Sequence, residues 1–310
     1  MTSLRYKVVA RGVRRLGHKE VFSMDTQRLL DWLGKHDQTH RSLPPKGFER
    51  RFLLEKRTIA GHSCYIIEPR GKARPGAPVI LFLHGGGFVF EAWRAHWDAA
   101  AKMVERLGAR LWFCNYPLLP GATLQSSSDM VLMTYAAMLE EHPAHDIRVV
   151  GDSAGAAQTL FLGHRISHGE GITGRSLSMP RMMAALSPGQ SVVRDPSIRA
   201  RMDAIVPVDA MLSTAILDTL NELMQLESLQ APYYACPLEG DFSAFPPLTV
   251  FCGTREIFLP QMDVFMAQIR NTGGQAELII GEGMCHVWPY VPLAPECKAA
   301  FGLLLKKLSE

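Results

Sequence analysis

Ser153 sits at the centre of Gly151-Asp152-Ser153-Ala154-Gly155, after the apolar run Ile147, Val149, Val150 and ahead of an Ala/Leu-rich stretch, Ala154 to Leu162. That context predicts strand, tight turn, helix, with the serine hydroxyl thrust out at the strand's carboxyl end. The flanking glycines suit a turn too crowded for a Cβ. A second run, His84-Gly85-Gly86-Gly87-Phe88, follows the apolar segment Val79 to Leu83. The backbone N–H groups of Gly85, Gly86 and Ala154 are the expected oxyanion donors, because glycine lets the main chain approach a substrate closely. A serine nucleophile beside such donors is equipped for acyl transfer to water.

A serine hydroxyl is a weak nucleophile at neutral pH and needs an adjacent base. The elbow motif carries the chain order serine, acid, histidine. Two loops satisfy it. Gly253-Thr254-Arg255-Glu256 follows the apolar run Leu248–Cys252, and Gly281 to His286 follows Leu278–Ile280. His286 is expected to take the Ser153 proton and return it to the leaving alcohol, with Glu256 holding the imidazole tautomer. Asp263 is the rival acid, but lies about two helical turns further on. His84 is expected to shape the oxyanion loop, Asp152 to fix the elbow, and Cys285 to be a buried, inert thiol. Phe88, Phe90 and Trp93 follow the oxyanion loop and are expected to line the pocket wall. A metal site is not expected, since neither HExxH nor clustered His/Cys spacing occurs. Gly85 to Gly87 also lacks the Lys-Ser/Thr ending of a phosphate loop.

The elements that must position these groups alternate. Arg51 to Leu54 and Cys64 to Ile67, joined by Ala60-Gly61, read as an antiparallel edge hairpin. Val79–Leu83 precedes a helix around Ala95–Leu107, and Arg110–Asn115 precedes another around Ser127–Glu141. Met182–Leu186, Leu248–Cys252 and Leu278–Ile280 supply further strands. Strands alternating with helices imply an α/β fold with a doubly wound, mostly parallel sheet of about eight strands. Residues 1–48, partly helical over Asp25 to Lys35 and ending at Pro44-Pro45, are expected to form one part of a cap. The interval 191–245 breaks the rhythm, holds one amphipathic helix (Val208 to Leu226), and is expected to form the rest. Residues 49–190 and 246–310 make the catalytic core. Such a cap would cover the carboxyl edge of the sheet, where open α/β sheets bind ligands. Ile216, Leu217, Leu220, Leu223 and Met224 would roof the pocket or pack helix on helix.

The 310 residues are 47% hydrophobic and 20% charged, ample for a sizeable core. A net charge of +3 is too mild to point to nucleic acid. The basic N-terminal stretch (Arg5, Lys7, Arg11, Arg14, Arg15, Lys19) reads first as a solvated helix face and second as an anionic or membrane-surface contact. Six scattered cysteines without a CxxC pair suggest reduced thiols and a cytoplasmic protein. A leader peptide is not expected, because Arg and Gly interrupt the early apolar runs, nor is a membrane-spanning helix, because no stretch approaches ~18 uninterrupted apolar residues.

These residues resemble the hormone-sensitive-lipase-like esterases of the α/β-hydrolase superfamily, from about Val79 to Val291. The resemblance rests on the His84–Phe88 and Gly151–Gly155 runs. Supporting it are Asn115-Tyr116-Pro117-Leu118-Leu119-Pro120, Phe245-Pro246-Pro247, Gly253-Thr254-Arg255-Glu256 and Gly283-Met284-Cys285-His286-Val287. It implies hydrolysis of carboxylic esters without a cofactor, a cap built from the N-terminus and a later insertion, and homodimers as common; the reading adopted is a carboxylesterase acting on small to medium acyl esters. The chain departs where Glu256 stands for the family's usual Asp. It departs again where Ala156-Ala157 replaces Gly-Asn, and where Asn115 and Gly121 occupy acidic positions. An acyltransferase, amidase or lactonase would use the same residues. A non-catalytic ligand-binding receptor on this fold is the remaining alternative.

Overall fold

The computed structural model describes residues 2–36, 42–71, 75–172, 175–225, 231–291 and 293–310. Eight strands form one sheet: β1 (Phe52–Ile59), β2 (His62–Pro69), β3 (Val79–Leu83), β4 (Arg110–Cys114), β5 (Ile147–Asp152), β6 (Met182–Leu186), β7 (Leu248–Gly253) and β8 (Ala276–Gly281). Their spatial order is β1-β2-β4-β3-β5-β6-β7-β8. β2 runs antiparallel to both β1 and β4, and the remaining pairs are parallel. This is the doubly wound α/β sheet expected from the alternation.

The central strands are apolar on both faces because both are covered. Along β3, Val79, Leu81 and Leu83 pack into one core while Ile80 and Phe82 pack into the other, as the period of two requires. The helices α1 (Leu4–Arg15), α2 (His18–Val21) and α3 (Thr26–Lys35) precede the sheet, with α4 (Phe48–Arg51) leading into it. α5 (Arg94–Leu107) and the last helix, α11 (Pro295–Ser309), cover the face carrying Phe82. α6 (Leu124–Glu141), α7 (Ala154–Ser167) and α10 (Leu259–Asn271) cover the other.

The insertion departs from expectation. One helix was expected from Val208 to Leu226; the structure has α8 (Pro196–Ile205) and α9 (Ala215–Met224), while Leu226 lies outside the described residues. Asp209 prevents a helix from starting at Val208, because its Oδ1 accepts from the Met211 and Leu212 amides and turns the chain. α8 begins with Asp195 as N-cap and Pro196 in its first turn. The insertion meets the N-terminal segment just past the end of α8 and within α9. Lys19 Nζ donates to the carbonyls of Val206 and Asp209, Arg14 Nη2 to that of Pro207 at 2.8 Å, and Thr219 Oγ1 to that of Met24 at 2.9 Å.

Candidate active site

In-register pairing brings the carboxyl ends of β3, β5, β6, β7 and β8 to one edge: Leu83 faces Gly151, Asp152 faces Leu186, Leu186 faces Phe251, and Gly281 faces Gly253. Residues just past those ends are therefore neighbours, although up to two hundred positions apart in sequence. Ser153 is held at φ 51°, ψ −116° between β5 and α7, its N–H donating to the Leu186 carbonyl at 2.8 Å. The elbow closes only because its glycines lack side chains. A Cβ on Gly155 would meet the Leu83 carbonyl oxygen at 2.0 Å, and one on Gly151 would meet that of Gly155 at 2.1 Å. Four non-glycine residues around the site, Phe88, Ser153, Ser187 and Val287, have φ between 51° and 61°. Strain of this kind persists only where the surroundings over-determine it.

Ser153 and His286 line the same cavity, of about 90 Å³, together with Gly86, Trp93 and Val287. His286 Nδ1 contacts Glu256 Oε2 at 2.5 Å, and its Nε2 is buried without a hydrogen-bond partner among the described residues. Glu256 is fully buried. Its Oε1 accepts from Ser187 Oγ at 3.0 Å and from the Gly253 amide, and Ser187 Oγ in turn accepts from the Val287 amide at 2.9 Å. With the carboxylate as partner, Nδ1 carries the proton and Nε2 is left as a bare acceptor. Burial pushes the imidazole pKa down, but the hydrogen bond and charge of Glu256, with the charges of Asp209 and Asp152, outweigh it and hold the pKa above the ordinary value. Asp263, the rival acid, is at the surface in an ion pair with Arg201 at 2.9 Å.

The oxyanion loop needs one correction. Gly85 was expected to donate to the oxyanion, but its N–H is committed to Asp152 Oδ1 at 3.1 Å. A Cβ there would meet Asp152 Oδ2 at 2.2 Å. Of the three expected donors, two are left: Gly86, whose amide has no partner among the described residues, and Ala154, whose amide opens α7 and so lacks an intrahelical acceptor. Asp152 Oδ2 also faces His96 Nε2 at 3.2 Å, while His96 Nδ1 accepts from the Trp93 amide at 2.8 Å. That assigns the proton to Nε2. One carboxylate thus ties elbow, oxyanion loop and α5 together. His84 stacks on Tyr116 with centroids 4.6 Å apart, and burial lowers its pKa to about 4, so it stays neutral. Burial raises the Cys285 thiol to about 11.

Of the expected wall residues, Trp93 lines the cavity beside His286. Phe88 lines a second cavity, of about 50 Å³, on the other side of Ser153 with Ala157, Phe161, Leu217, Leu220 and Met224. Phe90 is corrected: it lines neither, because it packs edge-on against Phe22 at 5.2 Å and Trp32 at 5.7 Å. Sequence reasoning missed Ser187, Asp209, His96, Phe22, Met211 and Leu212. The signal for Ser187 was its position immediately after β6. The fully buried Asp209 braces the acid loop, its Oδ2 accepting from the Ile257 amide at 2.9 Å.

A family profile described as the α/β hydrolase fold matches residues 80–290. An acetyl-hydrolase of Streptomyces hygroscopicus is 22% identical over 230 residues, spanning 74% of each chain. A carboxylesterase/phospholipase LipF of Mycobacterium tuberculosis is 23% identical over 238 residues, 74% of this chain and 61% of that one. Among solved structures, a putative esterase from Staphylococcus aureus superposes with a TM-score of 0.80 at 19% identity, over 95% of this chain and 96% of the other. An esterase of the bacterial hormone-sensitive lipase family gives 0.76 at 21% identity, over 100% and 98%. The expected kinship with hormone-sensitive-lipase-like hydrolases is thereby borne out: the chain belongs to the α/β-hydrolase fold family.

Proposed function

We propose that the chain is a serine carboxylesterase hydrolysing carboxylic esters of small to medium acyl length through an acyl-enzyme. The observation that carries this reading is the unpartnered His286 Nε2 in the cavity that Ser153 also lines, with Nδ1 anchored on a buried Glu256. Ser153 Oγ attacks the ester carbonyl carbon as its proton passes to Nε2. The resulting oxyanion takes hydrogen bonds from the Gly86 and Ala154 amides. Collapse breaks the bond to the alcohol oxygen, which leaves with the proton from Nε2. Water then repeats the cycle on the acyl-enzyme, with His286 again as base. Residues 1–48 and 191–245 act together as the cap, a reading supported by Phe22, Met211 and Leu212 lining the cavity. The small cavities on either side of Ser153 support modest acyl and alcohol groups. The six buried, unbridged cysteines support a reducing compartment.

The test is Ser153→Ala. It abolishes p-nitrophenyl butyrate turnover and labelling by an active-site fluorophosphonate while circular dichroism and melting are retained. Full turnover by the variant would overturn the assignment. A p-nitrophenyl panel from acetate to palmitate checks the size limit, with a sharp fall expected beyond medium chains.

A further inference from the structure

The N-terminal helix does more than cover the sheet. Residues 1–19 hold six of the chain's cations and no acid, although the whole chain carries only +3, so the remainder is net acidic. α1 uses one stripe, Tyr6, Ala10 and Val13, to pack inward, with the Tyr6 hydroxyl accepting from the Cys285 amide at 2.5 Å. Its outer surface is unusual for a solvated helix. Leu4, Val8 and Leu16 are 79%, 60% and 67% exposed, and with Leu293 at 67% they are the four most exposed large apolar residues among those described. Leu293 belongs to the same face, because nearby Glu296 accepts from both the Ser3 amide and hydroxyl. Cations alternate with these side chains at Arg5, Lys7, Arg11 and Arg15, all exposed.

Lys7, Arg11 and Arg14 share one side of α1 at i, i+4, i+7 spacing. They line a broad groove of about 720 Å³ with Arg255, and Glu282 is its single acid among the described residues. The groove also contains Val208, 46% exposed, and Ala210, whose chain neighbours Met211 and Leu212 line the Ser153 cavity. Arg14 donates to a carbonyl, whereas Lys7, Arg11 and Arg255 make no ion pair among the described residues.

We propose that this face docks on an anionic phospholipid surface, with lipid phosphates against Lys7, Arg11, Arg14 and Arg255 and the side chains of Leu4, Val8, Leu16 and Leu293 in the headgroup–acyl boundary. A soluble polyanion would account for the cations but leave the exposed apolar side chains unexplained. A second copy of the chain would account for the apolar side chains but set one cationic face against another. A bilayer surface with anionic headgroups satisfies both, which is the pattern of a peripheral interfacial helix. Among the described residues no helix is long and apolar enough to cross a membrane, so the contact is peripheral. The inference stands apart from the catalytic assignment: Arg255 is the chain neighbour of Glu256 but lines the outer groove, and the variants below leave it unchanged.

Flotation of the full chain with phosphatidylcholine vesicles, with and without phosphatidylglycerol, tests it. Binding is expected only with the anionic lipid and is weakened by salt. The double variant Lys7→Gln/Arg11→Gln should lose about thirtyfold in partitioning. Leu4→Ser/Val8→Ser should weaken binding at unchanged charge. Both variants should keep wild-type melting and turnover of a soluble short-chain ester, which separates a docking defect from misfolding. Three results overturn the proposal: no recovery with anionic vesicles, complete competition by soluble glycerol phosphate, or a dimer in sedimentation that Leu4→Ser/Val8→Ser dissolves.

Discussion

Replacing Glu256 by Gln probes the site with almost no change of shape, and the hydrogen bonds dictate how the new amide must lie. Oε1 faces two donors, the Ser187 hydroxyl and the Gly253 amide. The Gly253 N–H is fixed in the backbone and can only donate, so the Oε1 place requires an acceptor. The carbonyl oxygen of the introduced amide must therefore take the Oε1 place, and its NH₂ must point at His286 Nδ1. A donor there forces the imidazole into the tautomer with the proton on Nε2, which can no longer accept from Ser153. Loss of the correct tautomer is worth about 10³ to 10⁴ in kcat, roughly 4–5.5 kcal/mol of barrier. The pH profile supplies an independent readout. A base must be neutral to act, so kcat/KM climbs as pH rises through the His286 pKa, which Glu256 holds above the ordinary histidine value. Without that negative charge the residual activity should climb at lower pH than in the wild type. Stopped assays with p-nitrophenyl butyrate across neutral pH measure both. A variant within tenfold of wild type, with its pH limb unmoved, would refute the reasoning.

Asp152→Asn should destabilise the chain by about 1–3 kcal/mol, because both carboxylate oxygens face donors, Gly85 N–H and His96 Nε2–H, and an NH₂ would leave one of them unpaired. Urea unfolding checks it, and an unchanged midpoint would refute it. Burial raises the Glu91 carboxyl to about 7 from an ordinary 4.5. Between those values the folded chain holds a proton that the unfolded chain has lost, so stability falls as pH rises. Glu91→Gln should remove that fall and add on the order of 2 kcal/mol at pH 8, read from unfolding at pH 5 and 8; a wild-type pH slope in the variant would count against it. Leu220→Ala, in the wall beyond Ser153, should raise the octanoate-to-butyrate ratio of kcat/KM by about fourfold for each further methylene accommodated. An unaltered ratio would show that the acyl chain lies elsewhere.

What was legible in the sequence follows from how local each cause is. β3 and β6 are unbroken apolar runs whose ends could be read to the residue, because strands buried on both faces need apolar side chains throughout. The places of Ser153, Glu256 and His286 followed in the same way from the ends of β5, β7 and β8. α8 had readable signals, Asp195 before Pro196, that an eye set on apolar spacing passed over. The start of α9 was not readable from spacing, since the Asp209 turn interrupts an otherwise helical pattern. Long-range causes were the least accessible. Which glycine of the oxyanion loop keeps a free amide depends on a carboxylate 67 residues away. Phe90 points away from the cavity because Phe22 and Trp32, from the N-terminal segment, offer it an aromatic nest. The strained φ values of Ser187 and Val287 belong to the same class. Neither residue type prefers that region, and each is held there by the one network, Val287 N–H to Ser187 to Glu256, that also fixes His286. Strain and site are thus two views of one set of contacts, which forms only after β6, β7 and β8 have aligned.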